Sequence, residues 1–140
     1  MIDRFSGIYF FLSNFYSIPV EYEGLVYENN ESAFQAQKDP SRKLEFTSLN
    51  PSEAKRLGRC VTLRKDWEDV KVEIMKNIVR EKFNQNPDLQ EKLLATGDEM
   101  LIEGNTWNDC CWGVCNGVGK NLLGKILMSV RKELKTKRGI

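Results

Sequence analysis

PVEYEGLVYENNESAFQAQK, residues 19–38, is the stretch on which the fold turns. Residues 19–27 alternate in character and break at Glu23-Gly24, which predicts a short β-hairpin packed on one side. The hairpin delivers the chain into a helix expected from about Glu31, where Glu31, Phe34, Gln35 and Lys38 fall at i, i+3, i+4 and i+7 and share one face. That face carries an aromatic, an acid, an amide and an amine. It is either a solvated stripe held by charge pairing or the lining of a pocket.

Downstream, helices dominate. NPSEAKRLG (50–58) holds a start signal, with Asn50 as N-cap, Pro51 at the first helical position and Glu53 two residues further, and Gly58 is expected to stop the helix. Asp66 is placed to cap WEDVKVEIMKNIVREKF (67–83), in which Trp67, Val70, Ile74 and Ile78, with Met75 and Val79 beside them, form an apolar stripe. Asn86-Pro87-Asp88 starts another helix through Leu93-Leu94, which Gly97 closes, and MLIE (100–103) has the look of a short strand. Residues 104–121, dense in Gly, Asn, Trp and Cys, fit neither periodicity, and a loop of that length in a compact domain is usually functional. A last helix is expected from about Asn121 to Lys135, apolar at Leu123, Ile126, Leu127, Val130 and Leu134, and followed by a basic tail. With 140 residues and no repeat or linker, one domain over 1–140 is expected.

The formal net charge of +1 announces neither nucleic acid nor membrane, so any anionic ligand must be bound locally. The aromatic-rich start lacks the basic region and small-residue cleavage site of a signal peptide, and no long apolar run occurs, so a cytoplasmic location without membrane association is expected. Of the four cysteines, Cys110, Cys111 and Cys115 crowd together and Cys60 stands apart, which favours reduced thiols over bridges and offers no zinc-type spacing. There is no histidine, the commonest general base and metal ligand near neutral pH. Chemistry is left to carboxylates, amines, thiols and backbone groups, with no metal or cofactor expected.

Several motifs have a chemical and a bland reading. GVGK (117–120) could expose backbone amides to a phosphate at a helix start, or be a flexible lead into the helix. The full phosphate-loop pattern fails, because Val114 and Asn121 stand where Gly and Ser or Thr are needed. In NDCCWG (108–113), Asp109 is either a reactive carboxylate or a turn former, and Trp107 and Trp112 either bind something or close the core. Arg59, Arg64 and Lys65 either clamp phosphate or form a solvated lead-in to Trp67.

Taken in order, LSNFY (12–16), NESAFQAQK, AKRLGR, LRKDWE, LLATGDEMLIE, NTWNDCCWG and GKNLLGKILMSVR resemble the motifs of the NADAR family, also called the YbiA-like family, from Phe11 to about Leu134. The resemblance implies a mostly helical α+β fold with a small β-hairpin, and N-glycosidase activity. It assigns catalytic roles to Glu31, Lys38 and Asp109, and substrate binding to Ser13, Asn14, Phe15, Gln35, Arg59, Trp67, Trp112, Gly119, Lys120 and Asn121. Two substrate classes are implied: ADP-ribose attached to the amino group of guanine, free or in nucleic acid, and ribosylamino-pyrimidine phosphates of riboflavin synthesis. A functional link to an ADP-ribosyltransferase goes with the first.

Hydrolysis of a ribose C1′–N bond needs a proton for the leaving group and stabilisation of positive charge at C1′, work usually divided between two carboxylates. An amino-linked riboside offers another route, because its ring opens to an imine that a lysine amine can exchange into a Schiff base. Under the resemblance the Glu31 face therefore lines a pocket. The alternative is a module that binds ADP-ribose or a nucleotide without turning it over.

Overall fold

The computed structural model describes residues 1–140. The backbone forms two units: Asn14–Gln85, the hairpin unit, and Met1–Ser13 with Asn86–Ile140, the C-terminal unit.

In the hairpin unit, β1 (Ser17–Tyr22) and β2 (Leu25–Asn29) pair antiparallel with Tyr22 opposite Leu25 and Val20 opposite Tyr27. Glu23 and Gly24 both have positive φ, 49° and 86°, as a two-residue turn matching the strand twist requires. Val20, Tyr22, Tyr27 and Asn29 face inward, and Glu21, Val26 and Glu28 face out. Asn29 ends the hairpin and begins α1 (Asn30–Ala36), its side-chain oxygen accepting from Ser32 N at 2.7 Å. Every residue of α1 is buried, and the helix packs against β2, α2 and α3, where α2 is Pro51–Gly58 and α3 is Trp67–Asn84.

The expected helix through Lys38 stops early, at Ala36. Pro40 disfavours helical backbone at the residue before it, and Asp39 is extended (φ −141°, ψ 91°) before a 3-10 segment, Pro40–Phe46. Gln37 and Lys38 therefore form a turn, not helix. α2 carries a complete capping box: Glu53 N donates to Asn50 Oδ1 at 2.9 Å and Asn50 N to Glu53 Oε1 at 3.0 Å. Gly58 does not stop the helix by a left-handed turn; it is the last helical residue, and Arg59 caps it.

α3 buries Trp67, Met75, Ile78, Val79, Lys82 and Phe83, while Val70 and Ile74 are only half-buried. Asp66 makes no side-chain cap. Its carboxylate is held instead by Arg64, through Nε at 2.6 Å and Nη2 at 3.1 Å.

In the C-terminal unit, α4 (Pro87–Ala95) is followed by Gly97 at φ 63°, as expected of a helix closed by glycine. MLIE forms no strand. Only Leu101 bridges, in parallel with Ile2, flanked by Ile2 N to Met100 O at 2.9 Å and Ile102 N to Ile2 O at 2.8 Å. The strands lie further on, as a two-residue parallel pair, β3 (Gly104–Asn105) and β4 (Val114–Cys115). α5 (Leu122–Arg138) buries the expected Leu123, Ile126, Leu127, Val130 and Leu134. It runs on through the basic tail, since Lys135, Lys137 and Arg138 in the last turn suit the negative end of the helix dipole. Buried Arg131 ties α5 to the end of α4, donating to Thr96 Oγ1 and Glu99 O, both at 2.8 Å. No helix is long and apolar enough to cross a membrane. The architecture is the mostly helical α+β fold with a small hairpin that the motifs imply.

Candidate active site

The hairpin unit gathers a buried acid, an amide and an amine at α1. Glu31 lies in the first turn, 8% exposed, with its backbone N–H donating to Asn14 O at 3.1 Å. Asn14 is itself buried, and its side chain reaches Asn30 at 3.4 Å and Met75 Sδ at 3.5 Å, so Asn14 holds the start of α1 in place. One turn along, Gln35 Nε2 donates to Glu31 Oε1 at 2.8 Å.

Lys38 follows in the turn after the helix. Its N–H donates to Gln35 O at 3.1 Å and its carbonyl accepts from Arg64 N at 2.9 Å, so its backbone is fixed on both sides. Its half-buried Nζ lies 5.9 Å from the Trp67 ring centroid, and that ring meets Phe34 at 5.0 Å, tilted by 49°. Burial pulls the Lys38 pKa below its ordinary value; Glu31 opposes the shift, and the positive charges of Arg59, Lys55 and Lys71 add to it. Lys55 also lies over the ring of exposed Phe15, Nζ to centroid 5.6 Å. Glu31, Gln35, Lys38 and Trp67 thus come together, with Arg59 near enough to act on Lys38. The face is no solvated stripe.

In the C-terminal unit, Asp109 builds the loop. Its Oδ1 accepts from Cys111 N at 3.1 Å and Trp112 N at 2.9 Å. Asn105 brackets it, accepting from Asp109 N at 3.0 Å and donating to Asp109 O at 2.9 Å. This is the turn-forming role, and it sets the position of half-buried Trp112; Trp107 is 62% exposed.

At the phosphate cradle expected around GVGK (117–120), with Gly119, Lys120 and Asn121 as binding residues, the amides at the helix start are already engaged. The amides of Lys120, Asn121, Leu122 and Leu123 donate to the carbonyls of Cys110, Gly113, Cys111 and Trp112 at 2.8, 3.3, 3.2 and 3.0 Å. Those are the donors a phosphate at a helix start would require. Gly119 is needed for close passage, since a Cβ there would fall 2.1 Å from Gly113 O, at φ 153°. Buried Asn121 ties the loop to the preceding segment, donating to Leu101 O at 2.9 Å and accepting from Glu103 N at 3.0 Å. The Lys120 side chain is exposed and can reach an anion there. Ser13, half-buried, ends the 3-10 helix Gly7–Leu12, its N–H donating to Phe10 O at 2.9 Å.

Sequence reasoning missed Lys55, Lys71 and Gly58. The two lysines had a signal: Lys55 lies four residues before Arg59, and Lys71 four after Trp67, so each shares a helix face with a residue already singled out.

The NADAR domain pattern matches residues 4–135. An N-glycosidase of Nostoc punctiforme is 42% identical over 132 residues, 88% of this chain and 84% of that protein. A riboflavin biosynthesis protein of Vibrio vulnificus is 42% identical over 130 residues, 89% of this chain but 35% of that longer protein. YbiA of Escherichia coli, named an N-glycosidase, is 41% identical over 128 residues. Its NMR structure superposes with a TM-score of 0.86 at 37% identity, covering 99% of this chain and 89% of that one. The motif order, the fold and these likenesses agree: the chain belongs to the NADAR domain family.

Proposed function

We propose that this protein hydrolyses the C1′–N bond of a phosphate-bearing, amino-linked riboside, either ADP-ribosylated guanine or a ribosylamino-pyrimidine phosphate. The observation that carries the reading is the buried Glu31 beside a lysine whose proton affinity is lowered by burial and by neighbouring cations. Relatives named N-glycosidase support cleavage of an N-glycosyl bond, and the relative named a riboflavin biosynthesis protein supports the ribosylamino-pyrimidine class.

Once the sugar ring has opened to an imine, a neutral Lys38 amine adds to C1′ and the leaving amine departs with a proton from Glu31. Water then adds to the Lys38 imine, restoring the lysine and releasing the sugar aldehyde. Lys55, Arg59 and Lys71 keep Lys38 from holding its proton, and their charges suit the phosphate that both substrates carry. Asp109 sets the loop that carries Trp112.

Both substrate classes are to be incubated side by side with the enzyme and the products separated by chromatography. Release of guanine nucleoside or of the aminopyrimidine is expected, and release of neither removes the reading. Glu31→Gln is expected to lower turnover by at least ~10²-fold. Borohydride added during turnover is expected to leave a sugar adduct on Lys38, found by mass spectrometry. Lys38→Arg, whose guanidinium stays protonated, then loses activity. A fully active Lys38→Arg without an adduct would reduce Lys38 to an electrostatic clamp.

A further inference from the structure

We propose that Gln35 is a positioning residue for Glu31 rather than a substrate ligand, and that Gly58 is what keeps its amide in place. The kinetic consequence rests on the hydrolase reading above, but the effect on the carboxyl group does not. Both side chains are buried, and the Nε2 to Oε1 bond of 2.8 Å joins positions i and i+4 of one helix. The other end of the amide is unusual. Gln35 Oε1 is buried and accepts no hydrogen bond, a destabilising arrangement in a protein interior. The side chain is therefore placed for its nitrogen.

Gly58 explains how it is held. A Cβ at residue 58 would lie 2.0 Å from Gln35 Oε1 and 2.9 Å from its Cδ. Gly58 ends α2 with no positive φ, so its backbone has no need of glycine, and alanine is the better helix former there. What glycine supplies is room for the amide. With Oε1 of Glu31 held as an acceptor, the titrating proton is biased to Oε2, and the carboxyl plane is fixed.

The charges around this face come from every packed element. Lys38 stands at the end of α1, Lys55 and Arg59 come from α2, and Lys71 comes from α3. The hairpin and the 3-10 segment pair their own charges: Lys43 with Glu23, Arg42 with Glu45, and Asp39 with Ser41 and Thr62. Glu21 and Glu28 are exposed on the hairpin.

The test compares Gln35→Met, Gly58→Ala, Gln35→Ala and the Gln35→Ala/Gly58→Ala double variant, with folding checked by thermal melts. The Glu31 carboxyl is titrated by carbon-13 NMR, and kcat and KM are measured against pH. Gln35→Met and Gly58→Ala are each expected to raise the Glu31 midpoint by ~0.5 pH unit or more, because a carboxylate that loses a donor binds its proton more readily. The limb of the kcat profile that Glu31 governs moves the same way. kcat falls by ~10-fold or more while KM stays nearly constant. In the Gln35→Ala background, Gly58→Ala changes nothing further, since the group it would displace is gone. An unmoved Glu31 titration in both single variants overturns the proposal, as does a rise in KM alone, which would make Gln35 a substrate ligand. Gly58→Ala keeps the question open to test even if Gln35→Met fails to fold. If the wild-type protein turns over no N-glycoside while the variants still show the NMR shift, the hydrolase reading falls and the Gln35–Glu31 coupling stands.

Discussion

At the scale of single residues, Lys38 decides the chemistry, and its protonation depends on its neighbours. Burial and the cations Arg59, Lys55 and Lys71 lower its pKa against the opposing pull of Glu31, so more of it is neutral amine at a given pH than of an ordinary lysine. A Schiff-base route needs that neutral form, so activity rises with pH through the lowered Lys38 pKa. Arg59→Gln removes one positive neighbour and makes protonation easier. The alkaline-rising limb is therefore expected to move to higher pH, with less activity at neutrality. Raised salt is expected to act in the same direction, more weakly, because Arg59 is exposed and its field is screened. A kcat profile measured on both proteins checks this; a limb that stays in place, or moves down, would detach Arg59 from Lys38.

At the scale of elements, the parts governed by local chemistry were readable and those governed by approach were not. The hairpin turn, the α2 capping box and the apolar spacing of α5 follow from residues within a turn of one another, and each formed where expected. The end of α1 went wrong because the run of residues through Lys38 is helical in character, while the proline two residues on dictates extended backbone before it. The loop 104–121 was recognised as irregular, but whether its amides face a ligand or their own carbonyls depends on pairings such as Lys120 with Cys110, which no periodicity encodes. In the same way Gln35 stood out as a face residue, while Gly58 drew notice only as a helix stop, because the need for glycine arises from a side chain distant in sequence. The capping box gives the element-scale prediction. Asn50→Ala removes the acceptor for Glu53 N and is expected to cost ~1 kcal/mol, read as a lower denaturant midpoint with an unchanged slope. Because α2 carries Lys55 and Gly58 and is capped by Arg59, the loss should also blunt activity near the melting range; a variant with wild-type stability would mean that α2 is held by packing alone.

At the scale of the whole molecule, the pH dependence of stability is set by groups whose folded pKa differs from the unfolded value. Asp39, Glu45, Asp66 and Asp98 are held below the ordinary carboxylate range, chiefly by hydrogen bonds from Ser41, Arg42, Arg64 and Lys135, so their contribution is present near neutrality and lost as pH falls through the folded values. On the alkaline side Lys82 dominates. It is 1% exposed on α3, its Nζ 5.5 Å from the ring centroids of both Tyr16 and Phe83, and burial pushes its pKa from the ordinary 10.5 down to about 7. Between those two values the unfolded chain binds a proton that the folded chain has released, so stability increases with pH across that window. Tyr22 and Tyr27 act oppositely: burial raises both above 10.0, so the stability they contribute is fully present below that pH and is lost as pH climbs through the raised values. The melting temperature is therefore expected to rise from about pH 7 towards 10 and then to turn down, where a protein without a buried lysine would be nearly flat. Lys82→Met keeps the length and apolar character of the side chain and removes the titrating group. Its melting temperature should lose most of the rise, keeping the smaller part that the lowered Lys38 supplies, while keeping the acid-side fall, and the difference between the two proteins should shrink as pH approaches the unfolded lysine value. If wild type and Lys82→Met trace parallel curves from pH 7 to 10, Lys82 stays charged in the folded protein and burial has been offset by polar neighbours around its ammonium.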